Sequence, residues 1–382
     1  MITDAVLNEL RQQVRGFMDT VGAQWTREIE SEHRVPSHIW DGLRDRGYLR
    51  LMAPEELGGQ GLTLPQYLPL LETFSRGHGS IRMIVHVSNG IWRPMLRLAT
   101  PEQVDRFVRP QVRGDQVVAF ALTEPTGGTG ADIHTEAVRE GDHYLVTGEK
   151  HLITFGDVAD YLLLFCRMAG TQRSEGMMAL LIPRDAPGLE LRPMAESMGL
   201  WGTDHAHITL RQCRVPADHR LGGEGAGLDV ALRGFLDPSR ICVGMSCVGL
   251  GQRALELALQ WSQRRVTFGR PIGERQMVQA LLAEAATDVE AARQIVLWAG
   301  RQWEEHPPAS GAASMAKLFA LEALQRVTDR ALQVFGGVGY FHDQEIERIY
   351  RDARAQRFEE GTAEIQKVTI ARHLLAALEG QA

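Results

Sequence analysis

The sequence predicts a three-part chain of mixed class, helical first, β in the middle and helical again. Three observations carry this. Apolar residues recur at helical spacing at both ends. Between about 116 and 218 the pattern changes to short apolar or alternating runs. The chain has 382 residues, enough for two or three domains at ~150 residues each. A hydrophobic share of 44% with 23% charged residues is ordinary for a folded protein and excludes wholesale disorder.

The first domain spans 1–116 and reads as helical. Charged residues sit between apolar ones over 41–51, and Ala53-Pro-Glu-Glu-Leu-Gly-Gly-Gln-Gly61 then breaks the pattern, because proline and three glycines cannot continue a helix. A further helical stretch is expected over 64–97. The second domain spans 117–222. Val117-Val-Ala-Phe-Ala-Leu122, His143-Tyr-Leu-Val146, Tyr161-Leu-Leu-Leu-Phe165 and the run 177–182 are short and apolar. Ala206, Ile208 and Leu210 alternate with His207, Thr209 and Arg211. Such runs between Gly, Asp and Pro turns predict an antiparallel β module. Glu140-Gly141-Asp142 predicts a hairpin turn between Val138 and His143. The third domain spans 223–382. Cys247, Leu250, Ala254, Ala258 and Trp261 share one helical face, and Val278, Leu281, Ala285, Val289, Ala292 and Val296 continue the spacing. These amphipathic helices are long enough to pack as a bundle.

Forty-one basic against 48 acidic residues give a net charge of −7. This disfavours nucleic acid or an anionic membrane as the main partner. No apolar run reaches the ~18 residues of a membrane span. The first twenty residues lack the apolar core of a signal peptide. A cytoplasmic location is the expectation. Cys166, Cys213, Cys242 and Cys247 form no CxxC pair and are expected as buried reduced thiols. The 39 glycines exceed the average of about 7% and point to special turns and close backbone approach.

Five fragments could carry chemistry. Phe120-Ala-Leu-Thr-Glu-Pro-Thr-Gly-Gly-Thr-Gly-Ala-Asp132 offers backbone N–H groups and Thr hydroxyls that can surround phosphate oxygens. It is not GxGxxG and no helix follows, so a plain surface loop also fits. Gly148-Glu-Lys-His-Leu-Ile-Thr-Phe-Gly156 holds Thr154, which could donate to a ring nitrogen or serve the backbone. Arg265-Val-Thr-Phe-Gly-Arg-Pro-Ile272, with Gln276 beyond, reads as a helix end, a turn and a new helix. Gln333-Val-Phe-Gly-Gly-Val-Gly-Tyr340 puts three glycines inside a helical domain, where they cost stability unless something approaches the backbone. Phe358-Glu-Glu-Gly-Thr-Ala-Glu-Ile-Gln366 sets an acidic pair before a glycine. His205 and His207 share a strand face but have no third ligand, so no metal site is expected. His86 and Ser88 read as packing residues.

The order of these fragments is more specific than any one of them. Thr123-Glu-Pro125, Arg240, Arg265-x-x-Phe268-Gly269, Gln333-x-x-Gly336-Gly337, Arg351-Asp352-Ala353 and Glu360-Gly361-Thr362 span nearly the whole chain. In them the chain closely resembles the acyl-CoA dehydrogenase family of flavoproteins. The resemblance implies an α+β fold with an N-terminal helical domain, a middle antiparallel β-barrel-like domain and a C-terminal four-helix bundle. It implies FAD between the middle and C-terminal domains, partly held by a neighbouring subunit of a homotetramer or homodimer.

By the same resemblance, Phe120, Leu122, Thr123, Gly128 and Thr129 lie along the flavin and its phosphates, and Thr154 bonds near its reactive nitrogen. Arg265, Phe268, Gln276, Gln333 and Gly337 reach the FAD of the partner subunit, and Thr362 and Glu364 the adenine-nucleotide end. Thr129, Asp237, Arg240, Glu359 and Gly361 are implied on the substrate side. Glu360 aligns with the catalytic base, a sensible role for a carboxylate held against the α-carbon of a thioester. The activity implied is dehydrogenation of an acyl-CoA or acyl-carrier-protein thioester to the trans-2-enoyl thioester. Electrons would pass to an electron-transfer flavoprotein or to oxygen. A flavin oxidase or monooxygenase on this scaffold, or a binding protein that kept the fold, are the other readings; Glu360 argues against the oxygen-using one, whose members often lack the base. Three positions depart from the family pattern: Leu152 replaces a Trp beside the flavin, Gly130 an Asp, and Glu359 an aromatic residue that lines the acyl pocket.

Overall fold

The computed structural model describes residues 3–127, 132–171 and 175–379. The first domain is helical. Helices α1 (Asp4–Phe17) and α2 (Ala23–Glu32) are joined by a π-helical turn, and α3 (Ser37–Asp45) follows. The break at 53–61 holds, with Gly58 and Gly61 both at positive φ. The stretch expected as one helix over 64–97 is two, α4 (Leu64–Ser75) and α5 (Gly79–Leu96). Gly77 weakens the helix there, and the His78 ring caps α5 by accepting from the Ser80 N–H at 3.1 Å. The short turns α6 (Pro101–Gln103) and α7 (Arg109–Arg113) complete the domain.

The middle domain is an eight-stranded sheet. Its strands are β1 (Val118–Ala121), β2 (Glu136–Glu140), β3 (His143–Thr154), β4 (Tyr161–Met168), β5 (Met177–Pro183), β6 (Leu189–Pro193), β7 (His205–Pro216) and β8 (Arg220–Leu221). Most pairings are antiparallel, and β1 and β2 each pair β4 in parallel. The expected hairpin turn is present, and it is tighter than Glu140-Gly141-Asp142: Glu140 pairs His143, which leaves Gly141 and Asp142 as the loop. β4 and β5 read as unbroken apolar runs because both faces of this sheet are covered. Leu163, Phe165, Ala179 and Leu181 face the helical domains, while Leu162, Leu164, Cys166 and Leu180 pack inside the folded sheet.

After α8 (Gly227–Asp229) and a π-helical segment comes α9 (Asp237–Arg264). The hairpin β9 (Val266–Thr267) and β10 (Arg270–Pro271) leads to α10 (Gln276–Glu305), α11 (Ser310–Phe335), α12 (Glu345–Ala355) and α13 (Ala363–Glu379). Helices α9, α10, α11 and α13 form the bundle, and α4 packs against α9. Gly249 permits that approach: a Cβ there would lie 2.3 Å from the Glu72 carbonyl oxygen. The Arg351-Asp352-Ala353 motif ties the domains together. Asp352 accepts from the Leu200 N–H at 2.7 Å, and the Arg351 guanidinium lies 4.0 Å over the Trp201 ring and 2.8 Å from Glu30 on α2. All four cysteines are buried and free.

Candidate active site

Glu360 occupies the turn between α12 and α13, with φ at +52°. A bulky side chain rarely adopts this left-handed conformation, and it persists only where the surroundings fix it. Three successive carbonyls do so here. Those of Glu359 and Gly361 accept from the Lys317 ammonium on α11. That of Glu360 accepts from Arg240 Nε and Gln366 Nε2, each at 3.2 Å. Gly361 follows at φ +91°, a value suited to glycine.

The Glu360 side chain is half-buried. Its Oε1 accepts from the Ser239 hydroxyl at 2.9 Å, and Oε2 has no hydrogen-bond partner among the described residues. Burial pushes this carboxyl up to about 7; the Ser239 hydroxyl, Lys317 and Arg240 pull it down, and Glu359 pushes it further up. The first turn of α9 supplies Asp237, Ser239 and Arg240 together, and Asp237 accepts from Arg240 at 3.0 Å. Burial raises the Asp237 carboxyl despite Ser310 and Arg240 beside it. Burial lowers the Lys317 ammonium, against the pull of Glu360 and Glu359.

Glu359 turns towards α5, where Arg82 binds both its oxygens at 2.9 Å. The Arg82 side chain is 1% exposed and that of Glu359 14%. Burial raises the Glu359 carboxyl, and the Arg82 charge more than offsets this, holding it below the usual carboxylate range. Removing one member of such a pair leaves a buried charge alone, while apolar replacement of both is often neutral. Arg82→Ala is therefore expected to cost about 3–5 kcal/mol in urea unfolding, and Arg82→Met with Glu359→Leu clearly less.

On the middle domain, β3 is irregular between Lys150 and Ile153, and Leu152 and Phe155 both have φ of +58°. Such irregularities re-aim the side chains beside them. Thr154, between the two, lies 3.2 Å from His205 Nε2. Thr123 is half-buried and its carbonyl accepts from His151 N–H at 2.9 Å. The Leu122 carbonyl accepts from buried Lys150 at 3.0 Å, which also pairs with buried Glu124 at 2.9 Å. Phe120 stacks on Phe235 with ring centres 4.5 Å apart. Gly128 and Thr129 lie outside the described residues, as does Gly130.

The remaining expected residues are not gathered here. Arg265, Phe268, Gln276, Gln333 and Gly337 are exposed around the β9–β10 hairpin and the end of α11. Among the described residues the side chains of Arg265, Gln276 and Gln333 make no hydrogen bond or ion pair. Thr362 immediately precedes α13 and Glu364 lies in its first turn; backbone and Thr362 hydrogen bonds lower the Glu364 carboxyl. Among the described residues no cluster of His, Cys, Asp or Glu could hold a metal ion.

Arg82, Ser239 and Lys317 carry no signal in the motifs, and His86 was read only as a packing residue. His86 does more than pack, since its ring bonds to Ser239 at 2.8 Å. A signal existed: Arg82 and His86 stand four apart inside the otherwise apolar run Ile81-Arg-Met-Ile-Val-His-Val87, which the structure buries almost throughout. Lys317 likewise interrupts the buried alanine stripe of α11.

Three family models match successive stretches of the chain. They are the acyl-CoA dehydrogenase N-terminal domain over 5–115, middle domain over 119–213 and C-terminal domain over 225–375. The human mitochondrial short-chain specific acyl-CoA dehydrogenase is 34% identical, covering 96% of this chain and 89% of that one. An acyl-CoA dehydrogenase of Bacillus subtilis is 32% identical, covering 96% and 97%. The solved butyryl-CoA dehydrogenase of Megasphaera elsdenii aligns with a TM-score of 0.92 at 28% identity, covering 98% and 99%. The chain belongs to the acyl-CoA dehydrogenase family.

Proposed function

We propose that this chain is an FAD-dependent dehydrogenase that converts an acyl-CoA to the trans-2-enoyl-CoA. The observation that carries the reading is Glu360: a carboxylate of raised basicity, on a turn fixed by three carbonyl contacts, with one oxygen anchored and the other unpaired. Such a group can hold an acyl α-carbon within reach and take its proton. Arg240 and Lys317 lower the cost of its charge. Asp237, paired with Arg240 in the same turn of α9, is assigned to the substrate arm, with Gly361 as the backbone the acyl group approaches.

The donor set fits a flavin dinucleotide. Thr154 follows an irregularity in its strand, while Arg265, Gln276 and Gln333, whose side chains have no partner among the described residues, stand exposed around the hairpin and the end of α11. Phe120, Leu122, Thr123, Thr154, Thr362 and Glu364 are assigned to FAD in their own subunit, and Arg265, Phe268, Gln276, Gln333 and Gly337 to the FAD of a neighbour. When bound, FAD accepts the hydride that leaves the β-carbon. An electron-transfer flavoprotein as electron acceptor, a homotetramer and a cytoplasmic location belong to the same proposal. No helix among the described residues is long and apolar enough to cross a membrane.

Phe268 is 97% exposed at φ +49° at the tip of the β9–β10 hairpin. A large apolar side chain held out in this way is assigned to the contact with a neighbouring subunit and its FAD. Phe268→Asp is expected to lower both the oligomeric mass by light scattering and the FAD retained per chain. The proposed activity is tested by anaerobic titration with acyl-CoAs from butyryl-CoA upwards. Bleaching of the flavin is expected with at least one of them; a yellow protein that no acyl-CoA bleaches would overturn the reading.

A further inference from the structure

We infer that His86 and Ser239 form a positioning pair that anchors one oxygen of Glu360 and so dictates which oxygen takes the substrate proton. The inference rests on the proposal that Glu360 is the base. Two hydrogen bonds link the three side chains. His86 Nε2 on α5 lies 2.8 Å from Ser239 Oγ on α9, and Ser239 Oγ lies 2.9 Å from Glu360 Oε1. Both His86 and Ser239 are buried, at 3% and 4% exposed.

Counting protons fixes the direction. An ionised carboxylate only accepts, so the single Ser239 proton goes to Oε1. Ser239 Oγ then accepts, and His86 must donate through Nε2–H. Nδ1 is then bare, and it is indeed buried without a partner among the described residues. The other tautomer would leave Nδ1–H equally orphaned and would also take the Ser239 proton away from Glu360. The tautomer that satisfies the carboxylate therefore makes one more hydrogen bond.

The pair is not a proton exit. Burial and the positive Arg82 on the same helix lower the His86 ring to about 3, so it stays neutral. Its role is that of a fixed donor. The charges around it are Arg82 and Glu359; around Glu360 they are Glu359, Lys317 and Arg240, with the buried Cys242 thiol on α9. With Oε1 held by Ser239, Oε2, which has no partner among the described residues, is the freer oxygen and is assigned the α-proton. A hydrogen bond to an ionised acceptor is stronger than one to its neutral form. The pair therefore favours ionised Glu360 and keeps the base active at lower pH.

The test compares Ser239→Ala and His86→Leu with Ser239→Thr and His86→Gln, which keep a hydroxyl and an amide donor. In flavin-loaded enzyme, the acid limb of kcat is expected to move up by about one pH unit in the first two, with KM little changed. Thr and Gln are expected to restore most of that shift. Carbon-13 NMR of the Glu360 carboxyl, assigned with Glu360→Gln, reads the same shift without turnover. An unshifted carboxyl titration in Ser239→Ala and His86→Leu would overturn the pairing. So would a shift in His86→Leu that Gln fails to reverse. A wild-type enzyme with no turnover would instead count against the dehydrogenase reading, while the carboxyl titration still decides the pairing.

Discussion

Glu360→Gln is expected to slow α-proton removal by about 10²–10⁴-fold while FAD stays bound. The amide keeps the volume and can still meet Ser239, but it has no basic oxygen at working pH. The backbone contacts that fix the turn come from Lys317, Arg240 and Gln366 and do not involve the side chain. The variant should therefore fold, and its flavin content should match wild type. Its stability should respond to pH with a definite sign. The fold raises this carboxyl from 4.5 to about 7, which favours the neutral form. The stability linked to that shift is complete below about 4.5 and is lost as pH rises through about 7. Gln never ionises, so the variant should gain Tm relative to wild type at pH 8 and not at pH 4. Equal Tm differences at both pH values would contradict the raised carboxyl of the base.

Lys317→Met is expected to destabilise the chain by about 3–5 kcal/mol and to remove most activity. Met fills much of the alkyl volume, so packing is nearly kept. What disappears is a buried ammonium that serves the Glu359 and Gly361 carbonyls and faces both acidic side chains. Gly361 retains Gln366 Nε2 at 3.0 Å, but among the described residues Glu359 has no second donor for its carbonyl. An unmet buried carbonyl adds about 1–3 kcal/mol on its own. Removing the positive charge also raises the Glu360 carboxyl further, so the residual activity should rise at higher pH than in wild type. Urea unfolding at pH 7 and the acid limb of kcat check the two halves separately. A variant as stable as wild type would show that the turn needs no cation.

The legible part of the site is the part written contiguously. Glu360 and Gly361 stand in one motif, and Asp237 and Arg240 share one helical turn, so their order along the chain sufficed. The contacts that shape Glu360 come from far away in sequence. Ser239 is 121 residues from Glu360, His86 153 from Ser239, and Arg82 277 from Glu359. No local pattern encodes such pairings, and only the unusual placement of charge on buried helix faces hinted at them. Glu359 shows the same limit. Its replacement of an aromatic residue was visible, but its ion pair with Arg82 required the packing of α5 against the α12–α13 turn. A role for Glu359 in shaping the acyl pocket stays part of the proposal, exerted through that ion pair. The fold was legible where burial is one-sided, as in β7 and the bundle helices. It was less so at Gly77 and His78, where a cap divides one apolar pattern into two helices.

The most direct test of Glu360 as base is the pH dependence of anaerobic flavin bleaching, with whichever acyl-CoA bleaches wild type, in wild type, Glu359→Gln and Glu360→Gln. In wild type the rate should rise with pH through a single limb near 7, because only ionised Glu360 takes the proton. Glu359→Gln should move that limb to lower pH, since it removes a neighbouring negative charge and leaves Arg82 positive. Glu360→Gln should show no such limb and almost no bleaching. Undiminished bleaching in Glu360→Gln, with flavin content unchanged, would contradict the account.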